Sequence, residues 1–284
     1  MSLKATVMYS SLHTQAARQY LGESLSSPQQ IAPLPRVCAQ LAELTAQQAP
    51  DAAQLARLIQ SDPALAGEIM RVANSPVLRP RSPIVSLQQA VSWLGVAEVR
   101  NIAMAVMLRG EVFVAPGHEP ESEELCREAW LAGLWAKEIA RERRKHVESA
   151  FLAALMHRTG AALALKILSG FEVQQRTVMD AKTFADLVVE FEPSFGTMLM
   201  THWHLPAEVQ NAASQWRDCR NSSTGDLACT VNAAHLLAMH TMHPQLLGED
   251  TVMESPVFEQ LGVFPDNRRE LLAKRDQVRT LAGI

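Results

Sequence analysis

The sequence predicts an all-α protein made of two packed helical subdomains, and three observations lead there. Apolar residues recur at helical rather than alternating spacing almost throughout. Alanine and leucine dominate while glycine is sparse, 13 in 284 residues. Proline repeatedly stands where it can open a helix, because its fixed φ suits the first turn and its missing N–H is not needed there. Hydrophobic residues make up 48% of the chain, enough to build a core without cross-links.

Residues 1–27 read as a helix with a loose lead-in, and 28–115 as a first subdomain of short helices. Leu65, Ile69, Val72 and Ala73 share one helical face, and Val99, Ile102, Ala103, Val106 and Met107 repeat the pattern. Asp62 ahead of Pro63 supplies a capping carboxylate and a proline at the first helical position. Ser255–Pro256 repeats that signature, and Leu205–Pro206 does so without a capping side chain. Pro116, Gly117 and Pro120 break the chain within Val114–Ser122, before a long helix expected from about Glu123 to Lys145. That helix opens a second subdomain over 120–245. Within it, Arg217–Gly225 reads as a loop ahead of a helix near Asp226–His240. A break over His243–Pro256 leads into a helical extension, 246–284, whose Phe258, Leu261 and Phe264 are expected to pack on the core.

Charge and composition narrow the function classes. The net charge of −4 offers no general attraction to a phosphate backbone. The basic run Arg141, Arg143, Arg144 and Lys145 is interleaved with Glu138, Glu142 and Glu148, so a solvated helix end is expected and nucleic acid is not the expected partner. The apolar stretch from about Ala150 to Leu168 is interrupted by His157, Arg158 and Lys166, so no membrane span is expected. Cys38, Cys126, Cys219 and Cys229 form no C-x-x-C pair, and free thiols in a reducing setting are expected. With no secretory leader in the first residues, the cytoplasm is the expected location. A nucleophile elbow, a phosphate loop and a dinucleotide-binding glycine pattern are all missing. His202 and His204 fall on different helix faces. His240 and His243 could share a face but lack a third ligand, and Glu190 and Glu192 read as solvated carboxylates near a loop.

A series of short matches resembles the HDOD family, the HD-related output domain of bacterial signalling proteins. It runs through Leu34-Pro35-Arg36-Val37, then Leu58 to Leu65 including Asp62-Pro63, then Arg71-Val72-Ala73-Asn74-Ser75, Ile84, Leu87, Ala90-Val91, Leu94-Gly95 and Arg100-Asn101. It continues through Trp130, Phe151 to His157, Gly196, Trp203, Leu205-Pro206 and the helix through Ala234. The residues also have a plain structural reading: Asp62 as a cap, Asn74 and Ser75 as a helix terminator before Pro76, and Gly95 as a left-handed turn.

The resemblance implies a second subdomain related to HD-type metal-dependent phosphohydrolases, which hold divalent metals with a histidine, a His-Asp pair and a later aspartate. Here the His-Asp pair is matched by His157-Arg158, the first histidine by Ala132 and the last aspartate by His235. A guanidinium cannot give up its proton in a protein, so Arg158 sets a fixed positive charge where a cation would sit. No metal, cofactor or catalytic residue is therefore expected. His157 and His235 are expected to face the helix core as hydrogen-bonded histidines, or with Arg158 to line a remnant cavity for an anionic small ligand. The expected function is a non-enzymatic regulatory or output module that binds a signalling protein or small ligand. The alternatives are an active HD-type phosphodiesterase and a nucleic-acid-associated regulator.

Overall fold

The computed structural model describes residues 3–26, 52–80, 82–220 and 225–284, and every regular element among them is helical. The family segment Leu34–Val37, Cys38 and the loop residues Asn221, Ser222 and Ser223 lie outside the described residues.

The first group comprises α1 (Leu3–Leu25), α2 (Ala52–Ile59), α3 (Pro63–Ala73), α4 (Leu87–Leu94) and α5 (Val96–Glu111). Helices α2 to α5 close over one cluster that includes Leu55, Ile59, Leu65, Ile69, Val91 and Ile102. The turns between them follow local chemistry. The Asp62 carboxylate accepts from the backbone N–H groups of Ala64 and Leu65, at 3.0 and 3.1 Å, with Pro63 opening α3. Asn74 ends α3 and holds the loop beyond it, donating to the carbonyls of Met70 and Ile84 and accepting from Ile84 N–H at 2.9 Å. The Ser75 hydroxyl accepts from Val77 N–H. Gly95 has φ +81°, and the chain bends there by 111° between α4 and α5; a side chain would be strained in this backbone conformation.

The second group is a bundle around α6 (Glu119–Glu142), with α7 (Val147–Met156), α8 (Thr159–Gln175), α9 (Ala181–His202) and α10 (Ala207–Ser214). A short 3-10 turn, Trp216–Asp218, and α11 (Gly225–Met242) complete it. Helix α6 packs extensively on α7 and α11, while α8 and α9 pair with each other and receive α1. The central helix starts at Glu119, earlier than the expected Glu123, because Pro120 falls in its first turn, where proline is tolerated. Trp130 on α6 packs against each of the three apolar clusters formed by the described residues. The buried Lys137 reaches back to Glu98 on α5 and lies 5.6 Å from the Phe151 ring centre.

Four short helices follow: α12 (Glu249–Met253), α13 (Pro256–Gln260), α14 (Pro265–Ala273) and α15 (Arg275–Ala282). Phe258 and Leu261 are buried in the core, but Phe264 is 70% exposed, so packing accounts for two of the three. Ser255 precedes α13 without a side-chain cap bond. The stretch Val147–Gln175 is apolar enough in composition to cross a bilayer, yet it is two helices and 83% of its most apolar window is buried inside the protein.

Candidate functional site

A cluster of charged and imidazole side chains is built where α6, α9 and α11 meet the joint between α7 and α8. Helix α7 ends at Met156, His157 is its last capping residue, and Arg158 stands just before α8. The Thr159 hydroxyl donates to the Met156 carbonyl at 2.7 Å and closes the joint. Beyond it, Gly160 allows α8 to touch α9 backbone to backbone: a Cβ there would lie 1.9 Å from the Glu192 carbonyl oxygen and 2.7 Å from Gly196 N. This contact seats Glu192 beneath the joint, while α6 supplies Glu128 and α11 supplies His235.

The histidine tautomers follow from their partners. His157 Nδ1 faces the Ala154 carbonyl and must carry the proton to donate to it. Its Nε2 is then a lone pair, and His235 Nδ1 donates to it at 3.3 Å. The Trp216 ring covers both imidazoles, with centres 5.1 Å from His157 and 4.3 Å from His235. Burial pushes His157 down to about 4, against the pull of Glu128, so it is neutral at physiological pH.

The carboxylates are compensated by guanidiniums. Arg158 lies between Glu128, 3.0 Å from Nε to Oε1, and Glu192, which its Nη1 contacts directly. Arg217 reaches the other Glu192 oxygen at 2.8 Å and stacks over Trp216 at 4.2 Å. Two carboxylates and two guanidiniums sum to zero. Burial would raise the Glu128 carboxyl, but the His235 N–H beside it and the Arg158 charge outweigh it and hold Glu128 well below the usual carboxylate range. Even so, Glu128 Oε1, Arg158 Nε and Glu192 Oε2 make no aligned hydrogen bond; charge rather than hydrogen-bond geometry holds them.

Glu128 changes the reading of the metal-ligand set. From the sequence, the ligand position on α6 falls at Ala132 and the carboxylates are missing. The structure puts Glu128, one helical turn earlier, against both histidines, with His157 Nε2 3.3 Å and His235 Nδ1 2.7 Å from Oε1. These three atoms converge closely enough to hold an ion. Their spacing suits metal–ligand bonds of about 2.0–2.2 Å. The charge does not suit it, because Arg158 already occupies the side of Glu128 Oε1 that an ion would share. At an effective dielectric of about 20 and a separation of about 4 Å, a guanidinium opposes each unit of cation charge by about 4 kcal/mol. With Arg158 in place the residues do not fit a divalent metal.

Glu192 was equally hidden from the sequence: it reads as solvated, yet it is 4% exposed inside α9, while its neighbour Glu190 pairs with Arg18 at the surface. An acidic residue directly after an aromatic gives no warning; only the Gly160 contact places it. A cavity of about 420 Å3 adjoins the cluster, lined by Met156, His157, Glu192, Gly196, Trp216 and Arg217. Arg158 and His235 lie behind it rather than on its wall. The other histidine pair does not converge: His240 bonds the Leu247 carbonyl and His243 bonds Glu124. The basic run is spent on Glu138 and Asp226 through Arg141 and Arg143.

Several solved structures share this fold. A candidate metal-dependent phosphohydrolase from Shewanella amazonensis SB2B superposes with a TM-score of 0.71 at 20% identity, covering 94% of this chain and 99% of that one. An HDOD domain protein of unknown function from Geobacter sulfurreducens gives 0.70 at 16% identity, covering 94% and 97%. A candidate signal transduction protein from Marinobacter aquaeolei VT8 gives 0.62 at 21% identity, covering 95% and 66%. No curated protein matches the sequence. The HDOD domain itself matches residues 31–218, about two thirds of the chain, and the chain belongs to the HDOD family.

Proposed function

We propose that this HDOD protein is a non-enzymatic regulatory module of bacterial signalling, acting by binding a partner protein or a small ligand. The observation that carries the non-enzymatic part is Arg158, inserted between Glu128 and Glu192 where the HD relatives named by the resemblance hold a metal-binding aspartate. Family membership and the description of the Marinobacter relative support the signalling part. If the ligand is a small anion, Arg217 at the cavity wall is the accessible contact, because Arg158 is committed to two buried carboxylates.

The converging Glu128, His157 and His235 favour a second reading, a metal-dependent phosphohydrolase. Arg158→Asp separates the two. If the guanidinium is what keeps a cation out, the variant gains stoichiometric manganese, iron or zinc after purification while the wild type holds none. Wild-type protein that already retains a stoichiometric metal, lost in His235→Ala, supports the phosphohydrolase instead.

A further inference from the structure

Cys219 follows the turn that carries Trp216 and Arg217, and Cys229 lies on α11 six residues before His235. Ten residues apart in sequence, they read as unrelated thiols. In the fold their Sγ atoms lie 2.6 Å apart, and each residue is 5% exposed. Two thiols held in direct contact need little movement to bond. Gln260 on α13 completes the surroundings: with its amide oxygen accepting from the Arg220 guanidinium, its amide N–H faces the sulfurs, 3.3 Å from Cys229 and 3.8 Å from Cys219. A donor aimed there suits a disulfide, which has sulfur lone pairs to offer and no proton to give.

The pair is unequal in access. A cleft of about 160 Å3 opens beside Cys219, lined also by Arg217, Arg220 and Gln260. Cys229 is not on its wall. A thiol reacts through its sulfur as the thiolate, so the sulfur on the cleft wall, Cys219, is the one placed to meet an oxidant. Burial first, and the Cys219 sulfur next, push the Cys229 thiol up to about 12, so it stays protonated while its neighbour is reduced.

We propose that Cys219 and Cys229 are a peroxide-reactive thiol pair whose disulfide fastens the Trp216–Arg217 turn to α11, over the imidazole and carboxylate cluster. The cleft has room for a small hydroperoxide beside Cys219. The Cys219 thiolate attacks one peroxide oxygen; the S–O bond forms as the O–O bond breaks, and the departing hydroxide takes a proton and leaves as water. Cys229 then attacks the sulfur of the Cys219 sulfenic acid; the S–S bond forms and the hydroxyl leaves as a second water with the thiol proton. Two thiols and one hydrogen peroxide thus become one disulfide and two waters, with two electrons passing to the peroxide. In a reducing compartment such a bond is transient and acts as a sensor.

The test treats reduced full-length protein with hydrogen peroxide, blocks remaining thiols with an alkylating agent and maps peptides without reduction. The expected result is a cross-link between Cys219 and Cys229 that dithiothreitol reverses, with Cys126 still alkylated. Hydrogen exchange of the backbone over 216–220 is expected to slow at least tenfold on oxidation, and Cys229→Ser is expected to lose the slowing and leave a sulfenic acid on Cys219. Both thiols remaining alkylatable, or over-oxidation of Cys219 without a cross-link, overturns the pair. A cross-link with unchanged exchange over 216–220 overturns its hold on the turn. If Cys229→Ser fails to fold, the reduced and oxidised wild type still decide both points.

Discussion

Arg158 is the residue on which the site turns, and its neighbours set what its loss costs. Replacing it with alanine takes the guanidinium from both Glu128 and Glu192, 5% and 4% exposed, and leaves only Glu192 with another, from Arg217. Breaking a buried pair in this way costs about 3–5 kcal/mol, so Arg158→Ala is expected to lower the urea midpoint sharply, and less so in acid, where the carboxylates take up protons. His157 sets the pH dependence. Its folded value of about 4 lies below the ordinary 6.5, so the unfolded chain takes the proton first. Stability from the neutral imidazole is therefore complete above pH 6.5 and is lost as pH falls through 4, about 3 kcal/mol in all; Glu128, also depressed, acts in the same direction below its ordinary range. Denaturation at pH 7 and pH 4.5 should show the loss, and His157→Gln should flatten it. His157, Arg158 and His235 stand out in the sequence because they fall at the positions where the chain resembles the metal-ligand set of HD-type hydrolases, although only His157 lines the adjoining cavity. Glu128 and Glu192 do not stand out, because nothing in a heptad of α6 or α9 tells a buried carboxylate from a solvated one when its counter-charge comes from another helix.

At the scale of elements, the fold was legible wherever a turn carries its own chemistry. The Asp62 cap, the Asn74 terminator and the bend at Gly95 all rest on side chains and dihedrals within a few residues. Asp62→Ala is expected to destabilise by about 1 kcal/mol, the usual worth of a lost N-cap, measured by thermal or urea melts. The packing of α8 on α9 was not legible, since one glycine among small residues does not announce what it touches. Gly160→Ala brings a methyl onto the Glu192 and Gly196 backbone, which no side-chain rotation relieves. The expected result is a loss of about 1–3 kcal/mol or more, together with a shift of Glu192 that loosens Arg158. Gly170, where a Cβ meets nothing nearby, is the control: Gly170→Ala on the same helix should be neutral or mildly stabilising.

The whole molecule joins a small helical group to a larger bundle through Trp130 and the Lys137–Glu98 pair, and it places the charge cluster in the bundle rather than at the junction. The long series of family matches made this architecture legible. The site's charge balance was not, because it depends on Glu128, Arg158, Glu192 and Arg217, four places spread over 90 residues of chain. In the proposed function, guanidiniums stand in for the cation that HD-type hydrolases hold. Elemental analysis of the purified wild-type protein, after incubation with manganese, iron and zinc and removal of excess, tests it most directly. No stoichiometric metal is expected in the wild type, and bound metal is expected in Arg158→Asp. One metal ion per chain in the wild type, lost in His235→Ala and accompanied by phosphodiester hydrolysis, would contradict it.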